Sequence, residues 1–153
     1  MSERPNISAD LIWEVVRNNN AYLVKSKQHG GFQFSRDPFN LTNKHSRTHA
    51  GFVNDKAVSI QPGESGAVTL KTKKPGKTHQ PASHHNTHTY GKGTSNRKVY
   101  KNVADAVGKN SYRGDLNSYA VARASAIKDS QRSKKDTPEK KPRGLQGRKT
   151  VAA

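Results

Sequence analysis

Cysteine is absent from the 153 residues, which excludes disulfide staples and any zinc site built on thiolates. Acidic side chains are scarce: 11 Asp and Glu against 28 Lys and Arg give a formal net charge of +17. Paired carboxylates therefore have no obvious home, and neither a Gly-rich phosphate loop of the P-loop kind nor a Cys nucleophile is available, so no enzyme is expected. No stretch has the length and apolarity needed to span a bilayer. Leu, Ile, Val and Phe make up 25 of the 153 residues, and a chain so poor in them and so charged tends not to fold fully by itself. The start, Met1-Ser2-Glu3-Arg4-Pro5, lacks the apolar run of a secretion signal, which leaves cytosol or nucleus as the expected compartment.

What is present is positive charge, unevenly placed. Residues 1–91 carry 12 basic and 6 acidic side chains, whereas residues 92–153 carry 16 and 5. A small core with an extended basic arm fits this better than a uniformly charged ball. Such a field concentrates polyanions. Nucleic acid is the first candidate partner and an anionic membrane surface the second.

Along the chain, Ser8 is a candidate helix N-cap with Asp10 in the first turn, and Leu11, Ile12, Val15 and Val16 recur at helical spacing. Trp13 lies next to that stripe and reads as a core or protein-contact residue. Tyr22-Leu23-Val24 reads as a short strand, His29-Gly30-Gly31 as a turn, and Phe32 and Phe34 as one face of a second strand. Arg36-Asp37-Pro38-Phe39-Asn40 is loop chemistry. Phe52-Val53 suggests another strand, and Ala57–Ile60 with Ala67–Leu70 a hairpin. Residues 74–95, rich in His, Thr, Gly and Lys, read as a linker. Val99, Val103 and Val107 then mark a second helix, and Asp115 is the expected N-cap of a third with Leu116, Tyr119, Ala120, Ala124 and Ile127 on its apolar face. The expected fold class is α+β: an N-terminal helix on a small, mostly antiparallel sheet (1–73), the linker (74–95), a helical pair (96–132) and a basic extended tail (133–153).

Three blocks of sequence resemble a known family. They are Leu11-Ile12-Trp13-Glu14-Val15-Val16-Arg17-Asn18 with Tyr22-Leu23-Val24-Lys25, then Phe34 to Ser46 with Gly51-Phe52, and Tyr112 to Leu116 with Ala120 to Ile127 and Ser130-Gln131. In that order they resemble the eukaryote-specific large-subunit ribosomal protein family numbered twenty-eight, over about residues 8–132. Gly114 stands where that pattern has Pro. The resemblance implies a structural constituent of the cytosolic large ribosomal subunit that binds ribosomal RNA beside other large-subunit proteins. It implies no catalysis, no cofactor, no small-molecule substrate and no membrane, with passage through the nucleolus during assembly. The alternative is a nucleolar assembly factor or RNA chaperone sharing the N-terminal domain.

RNA contact needs cations that reach phosphate and small polar groups that reach sugars. The expected rRNA-binding residues are Arg17 and Lys25; Arg36, Asn40, Asn43, Lys44, His45 and Arg47 in one loop; Lys98, Lys101, Arg113 and Arg123 beside the C-terminal apolar stripes; and Arg132, Lys134 and Lys135 at the start of the tail. The tail cations Lys140, Lys141, Arg143, Arg148 and Lys149 extend the set. Phe39 and Tyr112 could stack on bases, but anchoring of loops to the core is the favoured reading. His79, His84, His85 and His88 invite a metal reading, which Pro81, Thr87 and Gly91 oppose by disfavouring a helix; a polar linker is preferred.

Overall fold

The computed structural model describes residues 7–138, apart from 27, 29, 78 and 79. The expected turn at His29 and the distal tail cations thus lie partly or wholly outside the described residues.

Ser8 accepts a hydrogen bond from the Leu11 amide at 3.2 Å, and helix α1 (Ala9–Val16) begins there. Its buried face keeps Ile12 and Val16 of the expected stripe but not Leu11 and Val15. Ala9, Ile12, Trp13 and Val16 pack with Ala50, Phe52 and Val53, while Leu11 and Val15 are 57% and 74% exposed. Leu11 and Val15 lie on the side of this short helix away from Trp13, so it cannot bury both faces. The indole decides between them because it has the most apolar area to bury. Asn20 then redirects the chain: its Nδ2 donates to the Val16 carbonyl at 3.1 Å and its Oδ1 accepts from the Tyr22 amide at 3.1 Å.

Strands β1 (Leu23–Lys25) and β2 (Gln33–Ser35) pair antiparallel, Leu23 opposite Ser35. A separate antiparallel sheet has the order β3-β4-β5, built from β3 (Val58–Pro62), β4 (Val68–Lys73) and β5 (His85–Tyr90). β5 was not expected. It falls in the His-rich stretch read as a linker, and its side chains are half-buried or exposed throughout. Because it is held by ladder hydrogen bonds to β4 at a sheet edge, it carries no apolar alternation to reveal it. Phe52 and Val53, expected in a strand, instead sit in a turn closed by Asn54, whose Nδ2 donates to the Ala50 and Arg47 carbonyls.

Helix α2 (Asn96–Gly108) starts at Ser95, which accepts from the Lys98 amide, and its Val99, Val103 and Val107 are fully buried. Two short 3₁₀ turns lead to α3 (Asn117–Ser130). Leu116, not Asp115, occupies the N-cap position of α3; the Asp115 carboxylate is engaged by Arg113 instead. Val58, Ile60, Val68 and Leu70 of the sheet, the three valines of α2, and Leu116, Ala120 and Ala124 of α3 form the main core, joined by Leu41 from the loop after β2. The alanines let α3 approach closely, as expected from its narrow stripe. At the open edge of the sheet, Arg123 Nε donates to the Ile60 carbonyl at 3.2 Å, covering an acceptor of edge strand β3 that has no neighbouring strand.

Candidate nucleic-acid interface

The loop from Arg36 to Arg47 is shaped by two buried polar side chains. Asp37 accepts from the Phe39 amide at 2.9 Å and from the Phe52 amide at 3.0 Å. Asn40 donates to the Lys44 carbonyl at 2.8 Å and accepts from the Thr42 amide at 3.1 Å. Asn43 adopts φ 56°, a conformation asparagine tolerates, and its carbonyl accepts from the Ser35 amide. His45 then donates its amide to the Gln33 carbonyl, so the returning limb pairs with β2. The loop presents Arg36, Asn43 and Lys44 to solvent, while Asn40 is buried and acts within the loop.

Between α1, β2 and the returning limb lies an open groove of about 700 Å³. Arg17, Phe32, Phe34, Lys44 and His45 line it, and Trp13 forms part of its wall. Phe32 and Phe34 are 69% and 41% exposed. The His45 ring stacks on the Trp13 indole with centroids 4.9 Å apart. Cations and open aromatic faces thus border one concave surface, the combination that takes a single-stranded backbone with its bases. Phe32 and Phe34 were read from the sequence as a strand face only; no signal in the sequence marked their exposure.

The expected binding residues fall into two groups. In the first, the cation is engaged inside the protein. Arg47 holds Asp10 at 2.8 Å and also the Asn54 side chain. Arg113 grips Asp115 and donates to the Thr48 and Lys56 carbonyls at 3.0 and 3.1 Å. Arg123 reaches the Leu41 carbonyl at 3.1 Å besides Ile60, and Asn43 Oδ1 at 3.4 Å. These three arginines tie segments together. In the second group, Lys25, Arg36, Lys44, Lys98, Lys101, Lys134 and Lys135 are exposed, and among the described residues their cationic groups have no ion-pair partner. Arg17 and Arg132 lie between the groups: each is exposed and pairs with a neighbour on its own helix or at its end, Glu14 at 3.1 Å and Asp129 at 4.0 Å. Such exposed pairs contribute little to stability.

Phe39 and Tyr112 are anchors. The Tyr112 hydroxyl lies 2.8 Å from the Lys73 carbonyl and 3.1 Å from that of Ala57, and burial pushes its pKa up. Phe39 packs against the His85 ring at 5.1 Å and under Lys73 Nζ at 5.6 Å. Lys73 itself donates to the Gly51 carbonyl at 2.6 Å; burial lowers its pKa, with Asp37 and Asp55 opposing. His84 and His85 stack at 4.6 Å, and both are shifted down, chiefly by burial and further by nearby lysines, Lys73 for both and Lys71 for His85. Among the described residues no cluster of three or more His, Asp or Glu is placed to hold a metal ion, and no helix is long and apolar enough to cross a membrane.

Residues 11–130 match the Ribosomal L28e protein family. The chain is 44% identical over 131 residues to the large ribosomal subunit protein eL28 of Schizosaccharomyces pombe, covering 85% of this chain and 97% of that protein. It is 36% identical over 118 residues to the protein of the same name from Trypanosoma cruzi, covering 76% and 73%. With that of Caenorhabditis elegans it shares 32% identity over 127 residues, covering 82% and 91%.

Proposed function

The chain belongs to the Ribosomal L28e protein family, and on that premise we propose that it is a structural constituent of the cytosolic large ribosomal subunit that binds and stabilises large-subunit ribosomal RNA for translation. The family is one of ribosomal structural proteins, not enzymes. The observation that carries the RNA reading is the groove in which Arg17, Lys44 and His45 border the open rings of Phe32 and Phe34. Phosphates meet the cations, and unstacked bases meet the rings. Lys25 and Arg36, exposed on β1 and the loop after β2, extend the positive surface of this half of the molecule. Lys98, Lys101, Arg132, Lys134 and Lys135 supply further phosphate contacts from the C-terminal half. Neighbouring large-subunit proteins complete the partners, and assembly takes the chain through the nucleolus.

Polysome gradients test this reading. The endogenous protein co-sediments with large subunits and translating polysomes at moderate salt. Recovery in precursor particles with absence from polysomes would make it an assembly factor instead.

A further inference from the structure

The apolar stripe of α3 runs through Leu116, Ala120 and Ala124, and its next position is Lys128. Lys128 is only 8% exposed, yet among the described residues it has no ion-pair or hydrogen-bond partner. It lines a concavity of about 490 Å³ shared with Gly66, Lys92, Asn96, Gln131 and Arg132. Its stem is buried along the core stripe, and its ammonium opens into the hollow. The C-terminal carbonyls of α3 favour one cation here through the helix dipole. They do not account for the two further cations, Lys92 and Arg132, that line the same hollow. Asp129, the acidic group nearest in sequence, reaches Arg132 at 4.0 Å and is itself exposed.

The walls of the hollow are fixed. Gln131 Nε2 donates to the Ala67 carbonyl at 2.9 Å, which pins the end of α3 to the β3–β4 hairpin. Gly66 has φ +81°, and a Cβ there would come within 3.4 Å of Lys92 Cγ. The turn thus both requires glycine and lets the Lys92 stem pass close over it. Three cations, Lys92 from the link between β5 and α2 and Lys128 and Arg132 from the end of α3, line one concavity. That is the arrangement a tetrahedral dianion or phosphodiester requires, and a flat basic face does not supply it.

We infer that the hollow lined by Lys92, Lys128 and Arg132 is a phosphate-binding subsite that seats a backbone phosphodiester of RNA, with Lys128, its stem packed in the core, as the cation held in place. The inference rests on the RNA-binding reading above and adds to it a subsite remote in sequence from the Arg36–Arg47 loop. Neither Lys92 nor Lys128 stands out in the sequence as a binding residue.

The test uses the full chain and a fluorescent single-stranded oligouridylate, with affinity measured across a salt titration. Lys128→Met keeps the packed stem and removes the charge; it weakens binding roughly tenfold at low salt and reduces the slope of log Kd against log salt by about 0.7. The exposed variants Lys92→Gln and Arg132→Gln cannot empty the core, and each produces a smaller loss in the same direction. Lys109→Gln, whose side chain pairs with Asp105 on the surface, is the charge-matched control and changes affinity less than twofold. If the three variants behave like the control while the wild type still binds RNA with a steep salt slope, the subsite is overturned and the general RNA reading stands. Wild-type affinity that is flat with salt overturns both. Competition by polyglutamate as strong as by RNA shows a generic anion surface and also overturns the phosphate assignment.

Discussion

The guanidinium of Arg113 forks onto the carboxylate of Asp115, Nη2 to Oδ2 at 2.7 Å and Nε to Oδ1 at 2.9 Å. Its remaining donors reach the Thr48 and Lys56 carbonyls, so one side chain fastens the link between α2 and α3 to two loops of the N-terminal half. Lysine cannot reproduce a planar fork with four acceptors. Arg113→Lys is expected to lower folding stability by about 2–3 kcal/mol in a denaturant titration. An unchanged midpoint would show that the clamp is ornamental.

The same pair sets an acid limb. Arg113 holds the Asp115 carboxyl below its ordinary range, with burial opposing. The folded pKa therefore lies below the unfolded one. The stabilisation is present above about pH 4, the unfolded value, and is lost as pH falls through the folded value. Asp115→Asn lowers stability at neutral pH and flattens the acid limb. Parallel stability curves for wild type and variant would contradict the assignment.

Histidines 84 and 85 act in a different pH window. Burial and neighbouring lysines lower both, so the folded state favours neutral imidazoles. A depressed folded pKa means that stability is undiminished above about pH 6.5, the unfolded value, and declines as pH falls through the folded values. Thermal midpoints of the free chain should drop between pH 7 and pH 5, and less so in the double variant His84→Asn, His85→Asn. Equal drops in both proteins would remove the histidines as the cause.

Gly51 is required by space. A Cβ there would stand 2.2 Å from Phe39 Cβ and 2.7 Å from the Phe39 carbonyl oxygen, and neither atom is the end of a flexible chain. Gly51→Ala must move the Phe39 backbone and with it the turn that Asp37 organises. The expected loss is about 2–3 kcal/mol or more by calorimetry. A variant as stable as wild type would mean that the loop yields freely.

The two groups of cations separate folding from binding. Lys44→Gln and Arg36→Gln remove exposed charges and leave stability within about 0.5 kcal/mol, yet each lowers the salt slope of RNA affinity by about 0.7–0.9. Arg123→Gln does the reverse: it destabilises by about 1–3 kcal/mol through lost bonds to the Ile60 and Leu41 carbonyls. A destabilised Lys44→Gln with an unchanged salt slope would overturn the division.

Much of this architecture was legible beforehand, for reasons visible in particular residues. Val99, Val103 and Val107 repeat every four positions and could only be one buried face. The Ala57–Ile60 and Ala67–Leu70 runs carry β-branched residues on either side of a Pro-Gly turn, and they became β3 and β4. β5 was hidden because His85 to Tyr90 alternates nothing apolar; a strand accepted by its neighbour's backbone needs no such signal. Periodicity alone does not say how far round an apolar stripe is buried; the bulk of Trp13 turns Ile12 and Val16 inward and leaves Leu11 and Val15 exposed. The site was the least legible part. Arg47, Arg113 and Arg123 look like free cations in a +17 chain, and only tertiary proximity to side chains and carbonyls up to 82 positions away shows them engaged. Lys128 carried a trace of signal, four residues after Ala124 on a buried stripe, which gains meaning once the hollow beside it is seen.

The decisive measurement is a cryo-EM map of the large ribosomal subunit from the source cells, at a resolution that places side chains. Ribosomal RNA is expected in the groove between α1 and β2, with Lys44 and Arg17 against phosphates and the rings of Phe32 and Phe34 covered, while Arg113 and Arg123 still face inward. A map in which that groove opens to bulk water and the exposed lysines touch no nucleotide would contradict this placement.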